Sequence, residues 1–552
     1  MTILGGTVNF TSAGGYTGPI TVVGANFELA PGAVSGSSYT IENGAVLSGT
    51  GTIGGLSVAS GGTVSPGYSP GTLTVTGNVA FAAGSTYRVD ITPEGAHDLI
   101  TATGTATISG GTVEVLATPG TYAPGSIYTI LTASGGVTGQ FASVSANYAY
   151  LDPVTIYDAN NVYLTILRNT RSFPDAAVTP NQRAAAAGTE SLGSGNAVYD
   201  AVLQLSNAQA PAAFDSLSGE IYASAATVMM DQSIYLRQAV GMRMRQGLNN
   251  QNGAGQATAQ LAPGYDATVW AQGFGAWGDT DGNGNAAALD RSVAGAFAGI
   301  DAAIAANARV GIVGGYSNTS FSVDARASSG DIDNYDLGLY GGAQFGALSL
   351  FAAASYTWHD LSVNRTIAFP GFFGLASSDD NAGTTQVFGE AAWRFDIEPI
   401  GIPATALGKA KSSIEPFVNL AYVNLSTDGF TETGTSAALT GTTNTLDTVY
   451  STLGVRAATV IPLANGGTLT PHVSIGWQHA FGDTAPVSLL AYSSGSTPFA
   501  VSGVPIAEDS ALVGAGFDYA ISKTVSAYVT YSGQFANSAQ DNAIKGALTV
   551  RF

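Results

Sequence analysis

An alternation of apolar and polar residues with a period of two runs from Ala267 to Phe552 and constrains the fold more than any other feature of the chain. It places Leu350, Tyr356 and Trp358 on one face of a predicted strand, because successive side chains of a strand point to opposite sides. An apolar, aromatic-rich face backed by a polar one is typical of a sheet with lipid outside and a polar interior. Lipid supplies no hydrogen bonds to the backbone, so such a sheet must close on itself. The pattern therefore predicts a transmembrane β-barrel.

About twelve such segments occur, an even number within the range of outer-membrane barrels. They begin near residues 267, 292, 308, 332, 347, 385, 414, 446, 467, 510, 523 and 541. Gly346 is a predicted tight turn, whereas Asp360–Gly383 and Gly482–Asp509 are predicted long polar loops, and this asymmetry is typical of such barrels. A soluble β-sandwich also alternates, but aromatic residues at the strand ends favour a 12-stranded antiparallel transmembrane barrel.

The first 170 residues are rich in strand formers and are interrupted by glycine turns. Short β-prone runs such as Ile20–Val23, Leu73–Val75 and Val113–Leu116 alternate with glycine pairs, and helical periodicity is missing. Strand and turn repeats without hairpin signals predict a β-solenoid that resembles a right-handed parallel β-helix. A β-sandwich remains the alternative.

Residues 171–265 change to a helical pattern. One helix is predicted to start near Asn181, and a second to run from Ser218 to Gln246. Glu220 near the start and Arg245 near the end of the second helix complement its dipole.

Composition excludes several classes of function. The chain has no cysteine, which excludes disulfides and cysteine-based metal sites. Its net charge of −20 argues against nucleic acid as a partner, because phosphates require a basic surface. It has no run of 18 apolar residues, so no transmembrane helix is predicted. The first ten residues lack the basic and apolar regions of a signal peptide, so an exported protein is expected to have further sequence upstream.

Three segments, together with the barrel pattern, resemble one known family. Leu217–Ser224 is similar to a helix that precedes the barrel, Val162–Leu167 to the end of a passenger, and Ser65–Val75 to a passenger β-helix repeat. The chain thus resembles the monomeric autotransporters of type V secretion in Gram-negative bacteria, with the likeness covering the whole segment 267–552 of the barrel. The predicted parts are a β-helical passenger (1–170), a helical linker with a pore-plugging helix (171–265) and a barrel translocator (266–552).

The resemblance implies a location, partners and a mechanism. The barrel is expected in the outer membrane, in contact with its lipid, after delivery by periplasmic chaperones and insertion by the β-barrel assembly machinery. The passenger is expected on the cell surface while a helix stays in the lumen. The family's assembly signal falls on Leu548, Val550 and Phe552. Ala547 stands where the family usually has glycine, with Gly546 beside it.

Charged residues on predicted inward faces are expected to line the pore. We expect them to pair across the barrel or with the plugging helix, the candidates being Arg237, Arg243, Arg309, Asp336, Glu390, Arg394, Arg456, Asp518 and Arg551. The resemblance also makes Asn249 and Asn250 a candidate self-cleavage pair, and a flexible polar linker is the competing interpretation.

Two motifs are weaker. Gly67–Gly71 matches the G-x-S-x-G pattern around Ser69, but Pro70 and a following strand predict a turn, not a nucleophile elbow. Asp279, Asp281 and Asp290 partly match a calcium loop, but strands flank them where helices are required. We therefore predict no catalytic residue, no metal site and no cofactor.

The resulting functional hypothesis is an autotransporter without enzymatic activity whose passenger is an adhesin for an unknown surface ligand. Two alternatives remain open. One is an outer-membrane porin-like channel with an N-terminal soluble domain, and the other is an autotransporter that carries a hydrolase passenger.

Overall fold

The computed structural model describes residues 1–12, 15–248, 257–260, 267–397, 411–463, 467–520 and 525–550. The chain forms two compact units, the first being Met1–Ala177 with Gly193–Ala213 and Phe369–Phe372, and the second Val178–Leu192 with Phe214–Ala368 and Phe373–Phe552. Among the helices in the described ranges, none combines the length and hydropathy that crossing a membrane requires.

The N-terminal segment of the first unit is a stack of short strands. In chain order they are β1 (Thr2–Leu4), β2 (Thr7–Phe10), β3 (Ile20–Val23), β4 (Asn26–Leu29), β5 (Ser38–Ile41), β6 (Val46–Gly49), β7 (Thr52–Ile53), β8 (Gly55–Val58), β9 (Thr63–Pro66), β10 (Thr72–Val75), β11 (Val79–Phe81), β12 (Thr86–Ile91), β13 (Leu99–Ala102), β14 (Ala106–Ile108), β15 (Thr112–Ala117), β16 (Ile127–Ala133), β17 (Val137–Gly139), β18 (Ser143–Ser145), β19 (Leu151–Tyr157) and β20 (Asn161–Arg168).

These strands form three sheets, ordered β1-β3-β5-β8-β11-β14-β17, β2-β4-β6-β9-β12-β15-β18 and β7-β10-β13-β16-β20-β19. Apart from the last strands, neighbours are parallel, and each of the four turns from β5 to β16 adds one strand to each sheet. Tyr39, Leu56, Val79 and Ala106 pair in register as one buried column. Each rung therefore buries its apolar face on the next, and the predicted β-helix is confirmed. A β-sandwich is excluded because its sheets would be antiparallel.

The last rung of the coil is covered by an antiparallel hairpin. Strand β20 pairs antiparallel with both β16 and β19, which ends the parallel stacking. Arg168 lies over the rings of Tyr150 and Phe173, at 5.5 and 5.3 Å from their centroids. The hairpin and these rings close the apolar interior at this end.

Helices occupy the segment between the coil and the barrel. A short 3-10 helix (Phe173–Ala176) precedes α1 (Pro180–Ser191), α2 (Ala197–Leu203), α3 (Ala210–Leu217) and α4 (Glu220–Leu248). Thr179 caps α1, accepting a hydrogen bond from the backbone N–H of Gln182 at 3.2 Å. Both predicted helices are thus present, each within two residues of its predicted start.

The second unit contains a closed sheet. Its described strands are β21 (Ala257–Gln260), β22 (Ala267–Thr280), β23 (Leu289–Ala305), β24 (Ala308–Val323), β25 (Ser328–Phe345), β26 (Leu348–Phe369), β27 (Phe372–Trp393), β28 (Phe395–Ile397), β29 (Lys411–Thr427), β30 (Phe430–Thr431), β31 (Leu439–Gly441), β32 (Asn444–Pro462), β33 (Thr468–Gly482), β34 (Val487–Tyr492), β35 (Phe499–Ser502), β36 (Asp509–Ala520), β37 (Val525–Phe535) and β38 (Ala539–Val550). A 3-10 turn (Asp324–Arg326) joins β24 to β25.

Twelve of these strands run antiparallel around the barrel in the order β22 to β27, β29, β32, β33, β36, β37 and β38. The sheet closes because β22 also pairs with β38, from Gly273 opposite Gly546 to Thr280 opposite Ala539. The predicted 12-stranded antiparallel barrel is confirmed. We call the end where β22 begins and β38 ends the terminal end, and the opposite one the lid end.

The alternation along the strands separates an outer from an inner face. On β26, the side chains of Tyr356 and Trp358 are exposed on the outer face. His359 of the same strand points inward and is buried. On β33, Ile475 is 64% exposed, while Gln478 points inward and is buried. The apolar outer face is what a lipid environment requires.

The prediction was wrong for two segments that were expected to be loops, because both contain strands. Asp360–Gly383 continues β26 and β27 as a hairpin that turns at Pro370 and Gly371. Beyond Trp358 the outward positions become polar while the inward ones, such as Leu361, become apolar, and this inverted alternation looks like a loop. Gly482–Asp509 contains strands β34 and β35.

Strands β30, β31, β34 and β35 form a separate four-stranded antiparallel sheet, the lid sheet, at the lid end. Tyr492 of this sheet bonds Thr189 of α1, their hydroxyl oxygens lying 2.8 Å apart. After β35, Gly503 lies against the backbone of Ala223 in α4, where a Cβ would come within 2.5 Å of the Ala223 carbonyl carbon. The lid sheet therefore packs on both α1 and α4.

One buried ion pair holds the lid sheet. The Arg365 guanidinium on β26 donates to both carboxylate oxygens of Glu432 at 2.8 Å. Tyr222 of α4 donates to the same carboxylate at 2.8 Å, and so does the backbone N–H of Leu439. A single side chain thus joins the barrel wall, α4 and the lid sheet.

We expect Glu432→Gln to open the lid sheet, because it leaves the buried Arg365 guanidinium without a carboxylate. Losing one partner of a buried ion pair typically costs about 3–5 kcal/mol. Hydrogen exchange at the amides of Leu439–Gly441 should accelerate, while exchange in β22–β25 stays unchanged. The matched control is Asp428→Asn, which removes an exposed carboxylate from the same connection. Equal exchange in Glu432→Gln and the wild type would contradict the prediction.

A buried carboxyl in the coil predicts a pH dependence. Asp98 is fully buried and accepts hydrogen bonds from the backbone N–H groups of Gly71 (2.7 Å) and Asp90 (3.0 Å). Burial outweighs these bonds and raises the pKa of Asp98 to about 6. The folded coil therefore holds this proton more tightly than the unfolded chain does, so the stabilisation is complete below about pH 4 and is lost as pH rises through 6.

The urea midpoint of the coil, followed by circular dichroism on the full chain, should fall between pH 4.5 and 7.5. In Asp98→Asn part of this decline should disappear, since the substituted side chain does not titrate. Identical pH profiles for the two proteins would show that Asp98 ionises equally in both states.

Candidate functional site

Helix α4 runs through the barrel lumen. Its side chains from Glu220 to Met244 are almost all buried, and its apolar and small residues are spread around the whole helix. A helix whose apolar residues do not form a single face is enclosed on every side and is not packed on one surface only. Met229, Met230 and Leu236 pack among inward side chains such as Phe274 and Phe297 of the wall.

At the lid end, Glu220 fixes the first turn of α4. Its carboxylate accepts from the backbone N–H of Ala287 at 2.6 Å and from Arg326 Nε at 3.2 Å. Asn181 of α1 donates to it at 3.4 Å. Because an acidic side chain at a helix N-terminus also complements the helix dipole, this contact anchors the helix at the lid end.

In the middle of the lumen, Arg291 of β23 bridges the helix to the last strand. Its guanidinium forms ion pairs with Asp231 of α4 and with Asp541 of β38, the latter at 3.0 Å. Tyr235, one turn further along α4, donates to Asp541 at 2.7 Å. Arg291 therefore satisfies two buried carboxylates from different elements.

Towards the terminal end, Asp301 of β23 is shared by two arginines. Arg243 of α4 donates from Nη2 to Asp301 Oδ1 at 2.8 Å, and Arg309 Nε of β24 donates to the same atom at 2.7 Å. Tyr340 of β25 adds a hydrogen bond at 3.0 Å. Asp301 is 1% exposed, so its charge depends on these donors.

A fourth cluster lies on the opposite side of the lumen. Arg456 of β32 pairs with Glu390 and with Glu415, each at 2.6 Å, and lies 3.8 Å from the ring centroid of Phe417. Arg245 of α4 approaches Glu390 only to 3.7 Å. The contacts of the helix on this side are therefore looser.

The other candidates make neutral or local contacts. Arg237 donates to Ser233 (2.7 Å) and to Gln386 (3.2 Å) and lies over the ring of Tyr450. Asp336 accepts from Thr357 at 2.6 Å. Asp518 lies 3.6 Å from His472, and Arg394 pairs with the exposed Asp396 at 2.9 Å. The structure thus joins Arg243, Arg309, Glu390 and Arg456 in ion pairs inside the lumen.

Some candidates fall outside the described residues, namely Asn249, Asn250, Arg551 and Phe552. Leu548 and Val550 lie in β38, whose backbone is described there, but their side chains are not. Self-cleavage and the assembly signal therefore stay predictions.

Sequence reasoning missed the central residues Asp231, Arg291, Asp301 and Asp541. Arg291 and Asp301 fall on the same inward face of β23 as Phe297. The alternation of that strand is obscured by alanine and glycine. A search for every charge at an inward position would have found both.

The lumen holds ion pairs and hydrogen bonds, and the chemistry it supports is the anchoring of a plug. Within the described ranges, no group of three histidine or acidic side chains could hold a metal ion. Asp279 lies on β22 opposite Asp290 on β23 and accepts from Gln540 at 2.6 Å. Ser69 lies in an exposed turn with φ of 67°, and no helix begins there.

Arg291→Gln should destabilise the barrel by about 3–5 kcal/mol, because it leaves Asp231 and Asp541 buried without a cation. The measurement is the temperature at which the protein in detergent micelles stops migrating as a folded barrel on unboiled gels. Adding Asp231→Asn and Asp541→Asn should recover much of the loss. Arg88→Gln, which breaks a half-exposed pair in the coil, should cost less than about 1 kcal/mol. A wild-type transition in Arg291→Gln would exclude this pair as an anchor.

Comparisons with known proteins agree with this architecture. Residues 269–532 match the family model described as the autotransporter beta-domain. Two curated proteins of Serratia marcescens, each named extracellular serine protease, are 31% and 29% identical over 542 residues, covering 89% of this chain. The chain spans about half the length of these relatives, 50% in each case.

Solved structures with a similar barrel include the translocator domain of the autotransporter NalP from Neisseria meningitidis. It is 15% identical, with 58% of this chain and 98% of that chain covered and a TM-score of 0.42. The transport unit of the autotransporter AIDA-I from Escherichia coli is 16% identical, with 55% and 95% covered and a TM-score of 0.36.

These relatives correct one prediction. The expectation of a protein without enzymatic activity is contradicted, since both curated relatives are named as proteases, and the adhesin hypothesis finds no support in their names. The family prediction is confirmed by the match to the β-domain. Residues 269–532 belong to the autotransporter β-domain family, so the barrel lies in the outer membrane and the N-terminal passenger is displayed on the cell surface.

Proposed function

We propose that this chain is the stalk and translocator of a secreted serine protease. The supporting observation is that the match to the Serratia proteases covers 89% of this chain and so includes the β-helix as well as the barrel. A shared barrel alone would be compatible with any passenger. Because the β-helix is matched as well, the similarity extends to the passenger, which is the part displayed on the surface.

In this proposal the catalytic residues lie in the half of the relatives that the match does not cover. A serine nucleophile needs a base within hydrogen-bond reach. His97 is the chain's one histidine before the barrel, and its Nδ1 lies 2.8 Å from the carbonyl oxygen of Gly95, with the ring against Tyr128. Among residues 1–12 and 15–177, no hydrogen bond joins this histidine to a serine or an acidic residue. The described coil therefore serves better as a support than as a catalyst.

The rungs also suggest how export proceeds without an external energy source. Each rung that emerges buries apolar side chains on the preceding one, which favours further emergence. We propose that Leu548, Val550 and Phe552 are read by the β-barrel assembly machinery, that periplasmic chaperones keep the chain unfolded before insertion, and that α4 remains as the plug. A porin-like channel is disfavoured because α4 occupies the lumen.

The test uses cells that express the complete reading frame containing this chain, treated with a membrane-impermeant fluorophosphonate that labels active serine hydrolases. A surface protein should be labelled in the wild type and equally in Ser69→Ala, because Ser69 lies in a turn without a histidine partner. Deletion of Phe552 should abolish the surface label. A displayed passenger that is never labelled would refute the protease proposal. Loss of the label in Ser69→Ala would show instead that the nucleophile is Ser69 of this chain.

A further inference from the structure

A cavity lies in the lumen beside α4. Two neighbouring spaces of about 170 Å³ and about 160 Å³ share Met242, Arg245, Arg456 and Ser474 in their linings. Packing explains the position. Ion pairs hold α4 against β23, whereas on the opposite side small residues such as Gly476, Gly514 and Gly533 leave the space unfilled.

The charged side chains that line this cavity have a positive sum, whereas the net charge of the whole chain is negative. The protein has 38 acidic and 18 basic residues. The cavity nevertheless has five cationic side chains and two carboxylates, which gives an excess of three positive charges. The cations are Arg237, Arg245, Arg394, Arg456 and Lys545.

Three of these cations, Arg237, Arg245 and Lys545, have no carboxylate within hydrogen-bond distance among the described residues, and Arg237 is bonded to Ser233 and Gln386 instead. Lys545 of β38 is 2% exposed, and its ammonium contacts the neutral side chains of Gln238 and Ser532. Arg245 of α4 reaches Glu390 only at 3.7 Å, and that carboxylate is already bonded to Arg456 at 2.6 Å. Removing a cation from water is costly unless an anion compensates it. Arg245 and Lys545 face one cavity from the helix and from the wall.

We propose that this cavity binds a small oxyanion of the phosphate or sulfate class, which bridges Arg245 on the helix to Lys545 on the barrel wall. A tetrahedral oxyanion accepts several hydrogen bonds at once, and the hydroxyls of Ser474 and Thr530 line the same space. The bound ion fills the side of the lumen where protein packing leaves a gap, so it holds the plug against the wall that the ion pairs do not reach.

The ligand is a soluble ion and not a lipid headgroup. The closed barrel wall separates the cavity from the surrounding lipid. The lid sheet covers the lid end, and the second space extends to Arg394 and His472 towards the terminal end. Short turns lie on the periplasmic side of outer-membrane barrels, so the ion reaches the cavity from the periplasm.

The experiment is calorimetric titration of the full chain in non-ionic detergent with inorganic phosphate, at an ionic strength held constant with sodium chloride. We expect saturable binding to one site in the wild type. Arg245→Gln and Lys545→Gln should each weaken it roughly ten-fold or more, the loss expected for a hydrogen bond between charged groups. Arg88→Gln, which removes a cation from the passenger, should bind phosphate as the wild type does.

Folding of each variant is checked by its migration on unboiled gels. If Lys545→Gln does not fold, Arg245→Gln decides alone, because Arg245 makes no hydrogen bond to the described residues that its loss would break. Saturable binding that both variants weaken supports the site. Absence of saturable heat in the wild type, or unchanged affinity in Arg245→Gln, overturns it.

Discussion

The rest of the structure depends on the pairing of β22 with β38, which closes the sheet on itself. In lipid an unpaired strand edge has no hydrogen-bond partner, so an open sheet of this size is not available to the chain. Closure has a second consequence. It encloses a polar lumen that must be filled or hydrated, and α4 occupies it with apolar side chains and four clusters of charge.

The charge clusters explain why a helix with little amphipathicity adopts one position in the lumen. Dispersion and apolar burial hold a helix in a tube but specify its rotation weakly. Asp231 pairs with Arg291 and Arg243 pairs with Asp301, both partners belonging to β23, and the two pairs together fix the rotation and the height of α4. A buried carboxylate without its arginine is costly, so a displaced helix would lose several such contacts together. The anchoring is therefore cooperative.

Much of the barrel could be predicted from sequence because each strand carries its own periodicity. Trp358 and His359 are assigned to outside and inside by position alone. The hairpin beyond Asp360 could not be predicted from the sequence. In the part of β26 and β27 that extends beyond the membrane, the outward side chains are polar and the inward ones pack on protein. The ion pairs could not be predicted from the sequence either. Arg243 and Asp301 are 58 residues apart, and their meeting depends on strand register and helix rotation together.

The charged residues inside the barrel are distributed unevenly around α4. The wall formed by β23 and β24 carries Arg291 and Asp301, which pair directly with the helix, and Arg309, which pairs with Asp301. The wall formed by β33, β36 and β37 has glycine and serine there and meets the helix across a cavity. The ion pairs of α4 therefore lie on one side of the lumen, and Arg245 and Lys545 face the cavity on the other side.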